Sequence, residues 1–230
     1  MQFFKDILYL FYPNLCVGCS NNLLQNEKII CSFCRHELPI IEFNKLNNKK
    51  LKSIFLGKIP IKKVRSFLYY RKHGKVQHLI HELKYKNQEE IGKVIGLWFG
   101  NLLRENNTFG NVDYIIPVPL HRKKLKKRGY NQLTKFGKSL SETLNIKYIS
   151  GILLKTSITK TQTFKKRFER FSDSNTKFKL INTSIFEDKH VLLIDDVITT
   201  GATLEACCKE LLKTKNITIS IATMAFTEKT

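Results

Sequence analysis

Carboxylates are scarce in this chain: 19 Asp and Glu stand against 40 Lys and Arg, a formal charge of +21. Such an excess favours polyanionic partners: nucleic acid, acidic lipid or a heavily phosphorylated ligand. A proteome rich in Lys and Asn would produce the same excess, so charge alone decides little. Long apolar runs are missing as well, none approaching the ~18 residues that span a bilayer. No membrane insertion is therefore expected. The opening stretch MQFFKDILYLFYPNLC is apolar, but Asp6 interrupts it, no basic region precedes it and no small-residue cleavage site follows. Phe3, Phe4, Ile7, Leu8, Leu10 and Phe11 suit a short helix docking on the domain, in a cytoplasmic protein. Three motifs are absent too. There is no Gly-x-x-x-x-Gly-Lys-Ser/Thr loop, so a P-loop ATPase is excluded, and no Gly-x-Gly-x-x-Gly dinucleotide fingerprint. Without a Gly-x-Ser-x-Gly elbow, a hydrolase triad has no anchor.

What is present is enough for one ordinary domain and a small appendage: 230 residues, 42% of them hydrophobic. Four of the six cysteines fall within nineteen residues, as Cys16-Val-Gly-Cys19, an eleven-residue spacer, and Cys31-Ser-Phe-Cys34. Two such knuckles supply the four thiolates that tetrahedral Zn²⁺ takes in a closed structural site. Disulfides or free thiols are the alternative, and a reducing cytosol argues against disulfides. His36 lies near enough to replace a thiolate, though nothing requires it. The spacing predicts a compact zinc-ribbon-like module over residues 1–45, a Lys/Asn-rich connector over 46–63 with a short helix near Leu51–Leu56, and a larger domain over 64–230.

In the larger domain apolar runs and helical periodicities alternate. Strands are expected at Val64–Tyr70, Asp113–Val118, Gly151–Leu154 and Ile217–Phe226. Helices are expected at Lys75–Tyr85, at Glu89–Glu105 (burying Ile91, Val94, Ile95, Trp98, Leu102 and Leu103) and at Asn131–Leu144. His78 and His81 share a helix face and could pair on a metal; with no third ligand in view, a solvated face is the better reading. The segment 121–129, HRKKLKKRG, reads as a cationic loop at the end of a strand, set against the alternative of a merely solvated one. Residues 156–175 are polar and basic, and suit either a flap over an anion or a surface loop.

The stretch that organises the chain is VLLIDDVITTGAT, residues 191–203. Val191–Ile194 suits a strand buried on both faces of a parallel sheet. Asp195 and Asp196 follow, then Thr199, Thr200, Gly201, Ala202 and Thr203, and then an amphipathic helix from Leu204 to about Lys213. Strand, loop and helix start point backbone N–H groups and a positive helix end at the loop's contents. Hydroxyls and amides suit a phosphate; the carboxylates suit sugar hydroxyls or Mg²⁺. The stretch reads as a site for a phosphorylated sugar, in a doubly wound, mostly parallel α/β sheet that meets the cationic segment at the carboxyl ends of its strands.

Residues 191–203 resemble the phosphoribosyl-diphosphate (PRPP) motif of type I phosphoribosyltransferases. The whole chain is similar to the competence-associated ComF family, through the four-cysteine start, HELKYKN at 81–87, PVPLHRKKLKKRGYNQ at 117–132 and the central motif, in that order. Thr161-Gln162 with Arg167, Arg170 and Asn175 resembles the family's flap, with Ile158 and Lys160 where arginine is usual. The resemblance implies a type I phosphoribosyltransferase-like fold. It also implies Asp195 and Asp196 on the ribose hydroxyls with Mg²⁺, Thr199–Thr203 on the 5-phosphate, and Lys84, Tyr85, Arg122 and Arg128 near the pyrophosphate. In 6-oxopurine transferases an acid stands two residues before the glycine; here that residue is Thr199, so no 6-oxopurine substrate is expected. The family resemblance also implies a role in DNA uptake, with single-stranded DNA or a competence helicase as partner.

Overall fold

The computed structural model describes residues 13–156 and 177–228. The apolar stretch at 3–11 and the flap segment with Ile158, Lys160, Thr161, Gln162, Arg167, Arg170 and Asn175 lie outside the described residues. Five parallel strands form the main sheet, in the order β1-β7-β6-β2-β3: β1 is Val64–Tyr70, β2 Tyr114–Pro117, β3 Lys147–Tyr148, β6 His190–Ile198 and β7 Thr218–Thr227. A separate antiparallel pair, β4 (Leu153–Thr156) and β5 (Lys177–Leu180), joins Leu153 to Leu180 in register.

The centre of the sheet is β6, flanked by β2 and β7. Val191, Leu192, Leu193 and Ile194 are all fully buried. Successive strand residues point to opposite faces, so four buried in succession mean that both faces are covered. β7 behaves likewise from Ile219 to Phe226. This is the doubly wound arrangement expected of an α/β chain whose parallel strands need crossover helices.

Among the described residues the α-helices are α1 (Ser32–Glu37), α2 (Lys45–Ser53), α3 (Lys75–Tyr85), α4 (Glu90–Glu105), α5 (Arg122–Arg128), α6 (Leu133–Leu144) and α7 (Ala202–Leu211). In α3, Val76, Leu79, Ile80 and Leu83 form the buried stripe, while His78 and His81 are exposed. In α4 the buried face is Ile91, Ile95, Phe99 and Leu103, interleaved with Gly92, Gly96 and Gly100. A Cβ on Gly96 would lie 2.8 Å from the Phe136 carbonyl oxygen, so only glycine lets α4 approach α6 this closely. Of the expected inward residues, Ile91, Ile95 and Leu103 are buried and the other three are not fully so. Val94, Trp98 and Leu102 are only partly buried, and Phe99 takes the central place, stacking on Phe67 at 5.3 Å and on Phe136 at 6.4 Å. Trp98 instead sits at a seam, its ring edge-on to Phe67 and covered by the Arg35 guanidinium at 4.7 Å.

The four-cysteine segment joins the domain at the free edge of β1. Ile41 N–H donates to the Phe67 carbonyl and Tyr69 N–H to the Pro39 carbonyl, both at 2.8 Å. The helix expected near Leu51–Leu56 lies earlier, at Lys45–Ser53, because Asn44 caps it: the Asn47 amide donates to the Asn44 side chain at 2.8 Å. Its end carries Ile54 and Phe55 against the loop that follows β6.

Candidate functional site

The candidate residues gather at the carboxyl ends of the parallel strands, where open α/β sheets place ligands. β6 continues through Asp195 and Asp196, with Asp195 level with Thr223 of β7. The Asp196 carboxylate is 7% exposed and both of its oxygens are engaged. Oδ1 accepts from Lys84 Nζ at 2.8 Å, and Oδ2 accepts from Gln132 Nε2 at 2.7 Å. Lys84 comes from the last turn of α3, and Gln132 from the residue before α6. Asp195 receives the Asp196 amide on Oδ1 at 2.8 Å. Burial, reinforced by the neighbouring Asp196 charge, pushes the Asp195 carboxyl up to about 8, against the lowering pull of the Asp196 amide, Lys84 and Lys155. At neutral pH the Asp195 carboxyl therefore keeps its proton.

Past Ile198 the chain turns through exposed Thr199 and Thr200 to Gly201, where φ is +79°. Glycine adopts that backbone without strain, and a Cβ there would also strike Ile54 Cγ2 at 2.8 Å. Gly201 caps α7, whose first N–H groups have no intrahelical acceptor and face the loop. Ala202 and Thr203 are exposed in that first turn.

The cationic segment after Pro119 is not a loop but the short helix α5. Lys, Arg and Leu are good helix formers, His121 accepts from the Lys123 amide at 3.2 Å, and Gly129 ends the helix in the left-handed conformation. None of its residues is buried, which is why apolar periodicity gave no sign of it. Arg128 Nη1 donates to Gln132 Oε1, and the guanidinium lies 5.4 Å from the Tyr85 ring. A cavity of about 330 Å³ opens between α3 and α5, walled by Lys84, Tyr85, Lys124, Lys127, Arg128 and Tyr130. A second, of about 260 Å³, runs from Lys84 and Tyr85 to Val197 and Thr199. Lys84 stands between the two.

Of the residues expected to act together, Asp195, Asp196, Lys84 and Arg128 form one connected group, with Thr199 to Thr203 continuing from the same strand. Arg122 does not join it. It lines a different cavity of about 520 Å³, with Pro117, Pro119, Tyr148 and Lys155. Gln132, the link between Asp196 and Arg128, and Lys155, the cation from β4 that acts on Asp195, were not singled out by sequence. Gln132 closes the segment 117–132 that carries the resemblance but has no role of its own there, and no local pattern marks Lys155.

The second centre is the cysteine cluster. The sulfurs of Cys16, Cys19, Cys31 and Cys34 all lie within 4.8 Å of one another, and Cys19 and Cys31 are 3.7 Å apart. A tetrahedron of sulfurs around Zn²⁺ has edges of about 3.8 Å, given a Zn–S bond near 2.3 Å, so the spacing fits that ion. Burial pushes the Cys16 thiol up, but the amides of Cys31, Gly18 and Cys19 outweigh it and bring it down to about 7. His36 is exposed and outside the cluster, and His78 and His81 form no metal-binding group among the described residues.

Among the described residues no helix is long and apolar enough to cross a membrane. Residues 136–230 match the phosphoribosyl transferase domain. The chain is 30% identical over 146 residues to the DNA utilization protein YhgH of Escherichia coli O6:H1, covering 62% of this chain and 63% of that protein. It is 32% identical over 139 residues to competence protein F of Haemophilus influenzae, covering 59% and 61%. The match thus spans about three fifths of the length of these curated relatives. Among solved structures, the allosteric regulatory enzyme of purine biosynthesis aligns at a TM-score of 0.40 and 17% identity, over 61% of this chain and 29% of that one. An adenine phosphoribosyltransferase aligns at 0.38 and 15%, over 65% and 74%. Scores this low carry no weight on substrate. With a parallel sheet bearing the acid pair on its central strand and four cysteines gathered ahead of it, the chain carries a phosphoribosyl transferase domain and is similar to the competence and DNA utilization proteins of the ComF type.

Proposed function

We propose that the chain binds PRPP with Mg²⁺ at the carboxyl end of β6 and transfers its ribose phosphate to an acceptor, in a cytoplasmic pathway of DNA uptake. The observation that carries the reading is the junction of Asp195, Asp196 and Lys84 with a hydroxyl loop ending at the amino end of α7. Asp195 and Asp196 serve the ribose hydroxyls and supply hard oxygen ligands of the kind Mg²⁺ takes. Thr199, Thr200, Gly201, Ala202 and Thr203 hold the 5-phosphate through hydroxyls and amides. Lys84 and Arg128 offset the charge of the departing pyrophosphate. Ribose transfer passes through an oxocarbenium-like centre, so the protein's part is positioning and the stabilisation of leaving charge. Calorimetry of the purified chain with Mg²⁺ and PRPP tests the reading. Binding that Asp195→Ala removes is expected; no heat with either protein refutes it.

The names of the relatives and the six cations of α5 support a second reading, in which the fold serves as scaffold or sensor and single-stranded DNA or a competence helicase is the partner. Affinity for DNA should then fall ~10-fold or more over a few-fold rise in salt, as counterions are released from several phosphates. The cysteine cluster is proposed to hold one structural Zn²⁺ per chain, measurable by metal analysis. Cys34→Ser should loosen residues 13–41 before the sheet, because site formation and local folding are coupled.

A further inference from the structure

We propose that Gln132 is the positioning residue of this site: its buried amide holds Asp196 and Arg128 at the separation that one ligand with a sugar at one end and a pyrophosphate at the other requires. The inference rests on the PRPP reading of the site. Gln132 is 7% exposed. Its Nε2 donates to Asp196 Oδ2 at 2.7 Å, and its Oε1 accepts from Arg128 Nη1. A carboxylate only accepts and a guanidinium only donates, so the amide can sit in one orientation only. Few side chains can serve both neighbours. Glu would set a second carboxylate against Asp196, Lys would set a cation against Arg128, and an apolar residue would leave both groups short of a partner.

The amide is anchored from its own backbone. Leu133, the next residue, is fully buried, and its N–H donates to the Asn131 side chain at 3.0 Å. The Gln132 carbonyl oxygen lies where a Cβ on Gly92 would meet it at 3.4 Å, so α4 presses on the same point. The side chain thus grows from a fixed place at the contact of α4 and α6.

Without such a spacer, opposite charges this close would pair directly. Lys84 already pairs with Asp196. Arg128, were it free to follow, would close over the same carboxylate and fill the 330 Å³ cavity between α3 and α5 that it now lines. Gln132 satisfies Arg128 without letting it arrive. The guanidinium has further N–H groups, so it can keep Gln132 and still meet an anion over Tyr85. An opposed acid and base held apart in advance save a spanning ligand the cost of ordering them, which is the advantage of preorganisation.

The test compares a whole ligand with its two parts. The full chain and Gln132→Met are titrated in Mg²⁺ with PRPP, with ribose 5-phosphate and with pyrophosphate. For Gln132→Met, PRPP affinity is expected to fall ~10-fold or more, while each fragment changes by about threefold or less, because a fragment needs only one end in place. Gln132→Glu, which keeps the volume and the acceptor for Arg128, is expected to show the same split and serves if the first variant does not unfold cooperatively. Equal losses for PRPP and both fragments would mean a general structural role and overturn the proposal, as would no loss at all. A wild-type chain that binds PRPP beside variants that bind it equally well sinks this inference alone. A wild-type chain that binds none of the three sinks the PRPP reading with it.

Discussion

The two ends of β6 carry ionisable groups on one buried strand and treat them in opposite ways. At the amino end, His190 is 9% exposed and every polar atom of its ring has a partner. Nδ1 lies 2.9 Å from the Asn111 carbonyl oxygen, Nε2 lies 2.9 Å from Ser220 Oγ, and the backbone N–H donates to Asp113 at 2.8 Å. Burial lowers its pKa, so the ring is held neutral and satisfied. At the carboxyl end two carboxyls stand side by side, with the Lys84 and Gln132 side chains committed to Asp196, while Asp195 accepts from the Asp196 backbone amide. One end is closed chemistry that holds the strand in place. The other stores unfavourable electrostatics, which is common where a ligand is to be received.

The difference has a pH signature. His190 has a folded pKa below its unfolded value of 6.5, so its contribution is present above that value and is lost as pH falls. Asp195 has a folded pKa near 8, above its unfolded 3.8, so its contribution is complete below pH 3.8 and is lost as pH rises toward 8. The groups facing Asp195 are Asp196, which raises it, Lys84 and Lys155, which lower it, and Cys207 from α7, itself pushed up chiefly by burial.

Substitutions at the two ends should break this symmetry in a defined order. Asp196→Ala leaves Gln132 and Lys84 without their acceptor. It should cost about 2 kcal/mol in urea unfolding, less than a fully buried pair, because the Lys84 side chain keeps 23% exposure and can reach water. His190→Leu strands the Ser220 hydroxyl and should cost about 1–2 kcal/mol at pH 8. That deficit should shrink below pH 6.5 in thermal melts, where the wild-type ring itself is under strain to protonate. Asp195→Asn should have the opposite sign, stabilising the unliganded chain by about 1 kcal/mol at pH 8.5, with no difference near pH 3.5. If Asp195→Asn destabilises at pH 8.5, the carboxyl end is structural like the amino end, and the contrast fails.

How far the molecule is legible in its sequence follows the same division. Val191–Ile194 and the stripe Val76, Leu79, Ile80 and Leu83 announce their elements through apolar periodicity alone, because tertiary packing only completes what the pattern dictates. The face of α4 is legible only in part: Ile91, Ile95 and Leu103 show in the pattern, but Gly92, Gly96 and Gly100 carry no hydrophobic signal, so the pattern favours Val94 and Trp98 over Phe99. Helix α5 has no buried residue to give a period; its sign is local, helix-forming cations closed by Gly129. The acid pair and the hydroxyl loop are contiguous and could be read directly. Gln132 and Lys155 could not, since their roles exist only where β6, α3, α6 and β4 converge.

The central claim, that the carboxyl end of β6 gives up stability to receive a phosphorylated sugar, is tested most directly by melting the wild-type chain and Asp195→Asn at pH 8 with and without Mg²⁺ and PRPP. The account predicts that unliganded Asp195→Asn melts higher than wild type and gains little from the ligand, while wild type rises on ligand addition through mass action on the folded state. An unliganded variant that melts lower than wild type, yet rises equally with PRPP, would contradict it.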